Sequence, residues 1–299
     1  MAEPRFITTE TLHDGTIARI SLNRPDARNA QNRGLLVELD EALRRAEADD
    51  RVAVIILAGN GPSFSAGHDM GTQIAIDEEL PGPAQHSTFR IDGGTAASHV
   101  ERRTLQEWHY YFECTRRWRD LRKITIAQVH GNVISAGLML MWACDLIVAA
   151  EDTTFADIVA TRLGMPGVEY LAHPWEFGPR KAKELLLTGD SIDADEAYRL
   201  GMVAKVFPLD ELAANTVAFA ERIARRPAMA RLLIKDSING AVDAMGFQES
   251  LKHSFYLHQL GHAHWTALHD DKFPAAKPGP DIEGWRNAGP IRPSRRDEP

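Results

Sequence analysis

The alternation of apolar and polar residues predicts a strand, a helix and a second strand at the start of the chain. The segment TIARISLNRP, residues 16–25, alternates as a half-buried strand does and ends at a proline. The segment RVAVIILAG, residues 51–59, is a β-branched run typical of a buried strand. Between them, RGLLVELDEALRRAEAD has apolar residues at helical spacing, namely Leu35, Leu36, Leu39, Leu43 and Ala46.

The same order of strand and helix recurs further along the chain. A strand, ITIAQVHG, is followed by a helix that begins at Ser135. A second strand, DLIVAAED, and a helix near residues 180–187 come next. Repeated units of this kind predict stacked α/β layers with the functional loops at the strand ends. Helical patterns dominate beyond Pro208 to about residue 268, and the Pro- and Gly-rich residues 269–299 are predicted to be extended or disordered.

Two segments separate these halves. Residues 71–98 are rich in Gly, Pro, Thr and Asp, which predicts a long loop that is either functional or disordered. The segment ERRTLQEWHYYFECTRRWRDLRK then predicts a helix. Its candidate buried residues are Leu105, Trp108, Phe112 and Trp118, and its candidate proton-transfer groups are Glu107, His109, Tyr110 and Glu113. An aromatic stripe of this kind is more often part of a core than of a site.

Composition narrows the class of protein. With 299 residues, of which 44% are hydrophobic, the chain can bury a large core. The net charge of −8 argues against a general nucleic-acid surface. Cys114 and Cys144 have no CxxC or Cys/His zinc spacing, so we expect no metal site and a reducing, cytoplasmic location. The N-terminus lacks the pattern of a secretory signal, and the weakly polar residues 133–144 are too few to span a membrane.

Five segments, in this order and spacing, resemble the enoyl-CoA hydratase/isomerase, or crotonase, superfamily. They are SLNRPDARNAQ, VAVIILAGNGPSFSAGHDM, IAQVHGNVISAGLMLMWACDLIVAAEDTTFA, LGMPG and AKELLLTGDSIDADEAYRLGMVAKVFP, and the resemblance covers about residues 5–265. It implies an α/β fold, a crotonase-like spiral of ββα units with a C-terminal helical region. It also implies a core with an acyl-CoA site over residues 1–208, a helical oligomerisation region over residues 209–268, and a homotrimer or dimer of trimers.

The resemblance implies that two backbone N–H groups, those of His68 and Ala136, bind the thioester oxygen of the substrate. The small residues Ala66, Gly67 and Gly137 beside them allow the thioester to approach the backbone closely. Preorganised donors in a dry site stabilise an enolate oxygen, and the loss of one donor typically costs about 3 to 4 kcal/mol. A helix N-terminus adds a favourable dipole. The alternative is that the small residues only permit close packing of a core helix.

The two glutamates of the family's hydratases correspond to Met139 and Val159, neither of which can transfer a proton. Hydration needs a base to activate water and an acid to protonate carbon, so plain hydratase activity does not follow from the resemblance alone. Glu169 is the candidate replacement, the alternative being an ordinary acid at a helix start. Asp157 is expected to be solvated or to cap a helix. The His68 imidazole either transfers protons or hydrogen-bonds a loop.

For the coenzyme A part of the substrate, the resemblance implies contacts from Ala27, Arg28 and Ala30, with Arg28 pairing with a phosphate or remaining a surface arginine. Lys252 is a further phosphate candidate, either in its own subunit or in a neighbouring one. Asp69 matches an acidic position beside the substrate and is expected to hold the loop by Asx-type hydrogen bonds. His130 is expected to satisfy backbone groups at a strand end.

The sequence therefore predicts an enoyl-CoA hydratase/isomerase-like lyase or isomerase that acts on an acyl-CoA thioester and needs no separate cofactor. Two alternatives remain open. One is an acyl-CoA carrier or sensor that has kept the thioester pocket and lost proton transfer. The other is a structural subunit that uses the trimer-forming surface.

Overall fold

The structure is a computed structural model that describes residues 4–74 and 104–268. A six-stranded sheet forms its centre, in the order β1-β2-β3-β4-β6-β9. β1 is antiparallel to β2 and the other neighbours are parallel. The strands are β1 (Ile7–Leu12), β2 (Ile17–Leu22), β3 (Val54–Gly59), β4 (Ile124–Val129), β6 (Leu146–Ala150) and β9 (Lys205–Phe207). A smaller sheet has the order β5-β7-β8, from β5 (Asn132–Ile134), β7 (Thr154–Ala156) and β8 (Ile192–Asp193).

Helices cover both faces of the larger sheet. They are α1 (Arg33–Ala48), the π-helical α2 (Glu107–Glu113), α3 (Cys114–Arg119), α4 (Ala136–Trp142), α5 (Val159–Leu163), α6 (His173–Glu176), α7 (Gly178–Thr188), α8 (Ala194–Leu200), α9 (Leu212–Ala224), α10 (Ala228–Ala244) and α11 (Phe247–Leu268). The predicted α/β architecture, with strand and helix units followed by a helical C-terminal region, is confirmed.

Alternate residues of the parallel strands pack on opposite faces of the sheet. Ile55 and Leu57 belong to the main core with α1 and α4, whereas Val54 and Ile56 pack with residues of α9. Because both faces are covered, β3 and β4 read as continuous apolar runs rather than as alternating ones. The helical region after residue 208 is therefore not a separate layer throughout, since α9 closes one face of the sheet.

The strands and helices predicted before residue 60 and between residues 124 and 188 are confirmed. Most of their ends lie within one or two residues of the predicted ends. Nearly all of the loop at residues 71–98, and the whole tail at residues 269–299, lie outside the described residues. No helix among residues 4–74 and 104–268 is both long enough and apolar enough to cross a membrane.

The helix that contains EWHYYFE differs from its prediction. Phe112 and Trp118 are buried as expected, but Leu105 and Trp108 are only partly buried, and Glu107 is buried instead. The cause is the π-helical winding of α2, in which each turn holds an extra residue and the inward face shifts. Such widened turns occur frequently at functional sites.

Candidate active site

The loop after β3 is packed directly against the N-terminus of α4. Ser65 pairs with Val133 and His68 pairs with Gln31 in isolated parallel bridges, so the loop lies between two strand-like segments. Gly67 has a φ of +90°, and a Cβ there would lie 2.8 Å from the Ile134 carbonyl oxygen. Only glycine allows this approach without moving one of the two segments.

Gly137 makes the second close contact between this loop and α4. A Cβ at this position would lie 2.6 Å from the Ser65 carbonyl oxygen, inside any van der Waals contact. The small residues at the start of α4 therefore permit close packing of the helix against the loop, which was the alternative to a role in substrate binding. They also hold the His68 and Ala136 backbones side by side, since a Cβ on Gly67 would lie 3.3 Å from the Ala136 nitrogen.

The backbone N–H groups around this junction are almost all engaged. Gln31 N donates to the Gly67 oxygen at 2.8 Å, and Asp69 N donates to the Gln31 oxygen at 3.0 Å. The N–H groups of His68 and Ala136, in contrast, donate to no protein acceptor within the described parts of the chain. Backbone amides without an internal partner are the kind of donor from which oxyanion sites are built.

Ser135 holds Ala136 in this position through a strained backbone. Its φ of 47° and ψ of −112° lie in a region that non-glycine residues rarely adopt, at a typical cost of about 1–3 kcal/mol. Ser135 N donates to the Ala156 oxygen at 2.8 Å, and its Oγ accepts from Ile158 N at 3.3 Å. These bonds from β7 and the segment after it fix the turn, so that α4 begins beside the loop of His68.

Asp69 holds the other end of the loop, as predicted. It accepts hydrogen bonds from Thr72 N at 3.0 Å and Gly71 N at 3.3 Å, and it pairs with the buried Arg24 at 2.8 Å. Burial alone raises the pKa of Asp69, but the hydrogen bonds from Thr72, Arg24 and Gly71 outweigh it and lower the pKa. The partner Arg24 is a residue that the sequence analysis did not single out.

The structure brings Glu169 and His68 together. Glu169 Oε2 lies 3.2 Å from His68 Nε2, and the Glu169 side chain is 3% exposed. Glu169 lies in the bend before α6, so the alternative of a helix-start acid is wrong. The Tyr111 ring stacks on the His68 imidazole with 3.7 Å between ring centroids, which fixes the plane of the imidazole.

The charges around Glu169 keep it ionised. Burial alone raises the pKa of Glu169, but positive charge on His68 and His258, the hydrogen bond from His68 and a backbone hydrogen bond outweigh it and lower the pKa to about 2. An ionised carboxylate accepts a hydrogen bond from His68 Nε2, so His68 in its neutral form carries its lone pair on Nδ1. His68 Nδ1 is buried and has no hydrogen-bond partner among the described residues. The pair therefore has the geometry of a carboxylate that orients a base.

Asp157 positions the turn that carries Glu169. It is buried and accepts hydrogen bonds from Val159 N at 3.0 Å and from Val168 N at 2.9 Å. The expectation of a solvated side chain is wrong; the N-cap residue of α5 is Ile158, and Asp157 accepts from the first amide of that helix from one residue further upstream. Its Oδ2 also lies 3.1 Å from the buried His173 Nε2. Burial alone raises the pKa of Asp157, but His173 and the two amides outweigh it and lower the pKa.

Met139 and Val159, the two residues that replace the family's glutamates, lie in the helices α4 and α5. Met139 is buried in α4, one turn after Ala136, and Val159 is the partly buried first residue of α5. Of the predicted groups on α2, Glu107 and Tyr110 are buried, His109 is partly buried, and Glu113 pairs with Arg116 at 2.5 Å. His130 Nε2 lies 2.8 Å from the Gly61 oxygen, which confirms its expected role at the strand end.

The residues expected near coenzyme A lie at the turn before α1. Arg28 is exposed with a φ of 51°, and Ala27 and Ala30 are partly exposed beside it. The Ala66 amide donates to the Arg28 oxygen at 2.9 Å, which joins this turn to the loop of His68. Lys252 lies on α11 and pairs with Glu249 of the same chain at 3.4 Å. Its predicted contact with a phosphate stays a prediction.

The chain is similar to enzymes that act on coenzyme A thioesters. Residues 13–90 and 91–264 match the family model for enoyl-CoA hydratase/isomerase. A Mycobacterium tuberculosis protein, provisionally described as the enoyl-CoA hydratase EchA13, is 61% identical over 297 residues, covering 99% of this chain and 93% of the relative. An Arthrobacter 4-chlorobenzoyl coenzyme A dehalogenase is 30% identical and covers 85% of this chain and 86% of its own.

Solved structures match the same extent of the chain. The crystal structure of a Mycobacterium smegmatis protein, provisionally described as an enoyl-CoA hydratase, is 42% identical with a TM-score of 0.78, and covers 90% of this chain and 98% of its own. An enoyl-CoA hydratase/isomerase from Xanthobacter autotrophicus is 27% identical with a TM-score of 0.73, and covers 96% and 98%.

Proposed function

The chain belongs to the enoyl-CoA hydratase/isomerase, or crotonase, family of enzymes, and on that premise we propose that it moves a proton on an acyl-CoA thioester. The backbone N–H groups of His68 and Ala136 bind the thioester oxygen, and the Glu169–His68 pair transfers the proton. The observation that carries this proposal is the 3.2 Å contact between Glu169 Oε2 and His68 Nε2. His68 is also the residue whose backbone N–H is a proposed oxyanion donor.

The proposed reaction begins with removal of a proton from the carbon next to the thioester. His68 Nδ1 takes the proton, and the electrons of the broken C–H bond pass into the thioester, where the oxygen becomes an enolate. The two N–H groups stabilise this oxygen, which is the largest single contribution in reactions of this kind. Ionised Glu169 stabilises the imidazolium that forms and keeps it in place. The proton then returns to the same carbon or to one further along the chain.

We infer that the reaction is an isomerisation rather than a hydration. A shift of a double bond needs one group that removes a proton and returns it elsewhere, and the Glu169–His68 pair is one such unit. Hydration needs a second group to activate water. The two positions where the family's hydratases carry glutamates are occupied here by Met139 and Val159, which have no ionisable group.

Hydrogen exchange in heavy water tests the proposal with any acyl chain that the site accepts. We expect the protein to incorporate deuterium next to the carbonyl of a saturated acyl-CoA, and to convert a β,γ-unsaturated acyl-CoA to its α,β isomer. Mass spectrometry and ultraviolet absorbance measure the two outcomes. Tight binding of acyl-CoA with neither exchange nor isomerisation would contradict the proposal and favour the carrier or sensor.

Crotonyl-CoA hydration is expected to be slow. Each general acid or base contributes about 10²–10⁴-fold, so replacement of both carboxylates by Met139 and Val159 places the rate orders of magnitude below that of a two-glutamate hydratase. Loss of the conjugated thioester absorbance measures the rate. A turnover of hundreds per second would show that another group activates water. We expect the double variant Met139→Glu/Val159→Glu to raise the rate if the buried site accommodates the charges.

Binding measurements separate the proposed role of the backbone N–H groups in binding from that of the His68 imidazole in proton transfer. We expect Ala136→Val, which keeps the N–H but crowds the approach of the thioester, to weaken acyl-CoA binding and to leave the affinity for free coenzyme A unchanged. His68→Ala also keeps the N–H, so we expect it to retain acyl-CoA affinity within about tenfold, or 1.4 kcal/mol, while it loses proton transfer. Calorimetric titration of folded variants measures both. An equal loss for both ligands in Ala136→Val would mean that the turn supports only the fold.

We propose that Arg28, with Ala27 and Ala30, contacts the coenzyme A portion of the ligand. Arg28 is exposed, and its carbonyl is tied to the loop of the oxyanion donors through Ala66. An exposed guanidinium at that position is free to pair with a phosphate. Lys252 is a candidate for the same phosphates from another subunit.

The exposed apolar side chains of α10 and α11 support self-association into the trimer or dimer of trimers expected for the family. They include Met229, Leu233, Ile234 and Ile238 on α10 and Tyr256 and Leu260 on α11, each more than half exposed. Exposed apolar patches of this kind mark interaction surfaces. We expect Ile234→Asp to lower the mass measured by light scattering, whereas Leu187→Asp on α7 leaves it unchanged. A monomeric wild-type protein would contradict the proposal.

A further inference from the structure

A second group of titratable side chains lies behind Glu169, between α2 and α11. Glu107, His258 and His262 are all buried, and their ligand-type atoms lie within 4.8 Å of one another. The proposed proton-transfer reaction does not use these three residues. Glu169 Oε1 lies 3.7 Å from His258 Nε2, so the group adjoins the active site while it remains separate from the thioester donors.

The distances within the group suit a single small cation. His258 Nε2 lies 3.0 Å from His262 Nε2, and His262 Nε2 lies 3.0 Å from Glu107 Oε1. The remaining pair, His258 Nε2 and Glu107 Oε2, is 3.7 Å apart. Ligands that bind one Zn²⁺ at about 2.0–2.1 Å in tetrahedral geometry lie about 3.3–3.4 Å from each other. The observed separations lie on both sides of this value.

The outer hydrogen bonds of the group match those of metal ligands. His258 Nδ1 lies 2.7 Å from the Gly167 carbonyl oxygen. Because a carbonyl only accepts, Nδ1 carries the hydrogen, and the Nε2 lone pair of the neutral ring points towards the group. Gln259 Nε2 donates to Glu107 Oε2 at 2.6 Å, and Thr104 donates to Gln259 at 2.8 Å. Histidine bonded to a carbonyl and carboxylate bonded to an amide are the usual supports of metal ligands.

Two features of local structure bring the three side chains together. His258 and His262 are four residues apart on α11 and so lie on one face of the helix. The π-helical winding of α2 turns Glu107 inward to meet them. Pairs of histidines at this spacing form zinc sites in other proteins.

The negative charge buried beside His258 also favours a bound cation. Glu107 and Glu169 are 5% and 2% exposed, so two carboxylates are buried on either side of His258. Buried carboxylates require compensating positive charge. A divalent ion supplies it in place of a proton on His258 or His262.

We propose that Glu107, His258 and His262 bind a divalent transition-metal ion, with Zn²⁺ as the best fit to two imidazoles and one carboxylate. The ion joins α11 to α2 and so fixes the wall behind Glu169. A fourth coordination position remains for water, as is common where a protein supplies three ligands. The competing arrangement is a single proton of His262 Nε2 shared between Glu107 and His258.

Calorimetric titration of the untagged, chelator-treated full chain with Zn²⁺ distinguishes the two. We expect one ion per chain. We expect His262→Gln to weaken binding by about 100-fold or more, and His253→Gln, which changes an exposed histidine of the same helix, to bind as the wild type does. Zn²⁺ is expected to raise the Tm of the wild type and of His253→Gln but not that of His262→Gln.

Absence of Zn²⁺ binding to the folded wild type, or equal binding by His262→Gln, would overturn the proposal in favour of the shared proton. If His262→Gln does not fold, Co²⁺ added to the wild-type protein gives an independent result. Visible absorption of four- or five-coordinate Co²⁺ with nitrogen ligands supports the site, and a spectrum like that of the hydrated ion overturns it. Neither result depends on acyl-CoA turnover, so failure of the metal site and failure of the proposed function are separate outcomes.

Discussion

Glu169→Gln is expected to lower deuterium exchange and isomerisation by about 10²–10⁴-fold, the usual contribution of a general acid or base. The amide keeps the size of the side chain but removes the charge that orients His68 and stabilises its protonated form. We expect acyl-CoA affinity to stay within about tenfold, since the proposed oxyanion donors are backbone groups. The reduction therefore appears in kcat rather than in binding.

The matched control is Glu151→Gln, which makes the same chemical change at an exposed residue in the turn after β6. It is expected to retain wild-type rates. If Glu169→Gln exchanged protons at the wild-type rate while folded, the Glu169–His68 pair would be a structural ion pair. Loss of acyl-CoA binding together with turnover would instead assign Glu169 to the support of the loop.

Gly67→Ala is expected to lower kcat by about 10²–10³-fold, the effect of losing one oxyanion donor. The added Cβ would lie 2.8 Å from the Ile134 oxygen, and the φ of +90° is unfavourable for alanine. Either the loop or the start of α4 must move, which separates the His68 and Ala136 amides. Initial rates and calorimetric binding on the folded variant measure the effect.

Gly71→Ala is the control for this change, because a Cβ there meets no atom within 4 Å. It lies in the same loop and keeps the N–H that donates to Asp69. We expect its rates and its Tm to match those of the wild type. Equal rates in Gly67→Ala and Gly71→Ala would mean that the two amides do not act together on the substrate.

The strands and the longer helices follow from local patterns. α1 forms where Leu35, Leu39 and Leu43 recur at helical spacing, and β3 forms where a β-branched run is bounded by glycine. These patterns suffice because each element buries the apolar face that its own residues define. In α2 the buried face also depends on the π-helical winding and on contacts with α11, where Trp108 and Phe112 pack on Phe255. The prediction of its buried residues was partly wrong because the sequence pattern contains neither.

The pairing within the site depends on contacts that no local pattern contains. Glu169 and His68 are 101 residues apart and meet only because the loop after β3 and the bend before α6 pack together. Both residues were predicted as site candidates from the sequence, but their contact was not predicted. His258 and His262 carried a signal, the spacing of two histidines by four residues in a helical segment, and Glu107 completes the group only in three dimensions.

The turn at Ser135 presents a main-chain amide, that of Ala136, rather than a side chain to the proposed site. An alanine scan removes side chains and leaves every main-chain amide in place, and residue 136 is already alanine. Such a scan tests the proposed roles of Glu169 and of the His68 ring, but it does not test the proposed oxyanion donors, which are main-chain groups. Replacement of single peptide bonds by esters, which removes one N–H at a time, is the method that detects them.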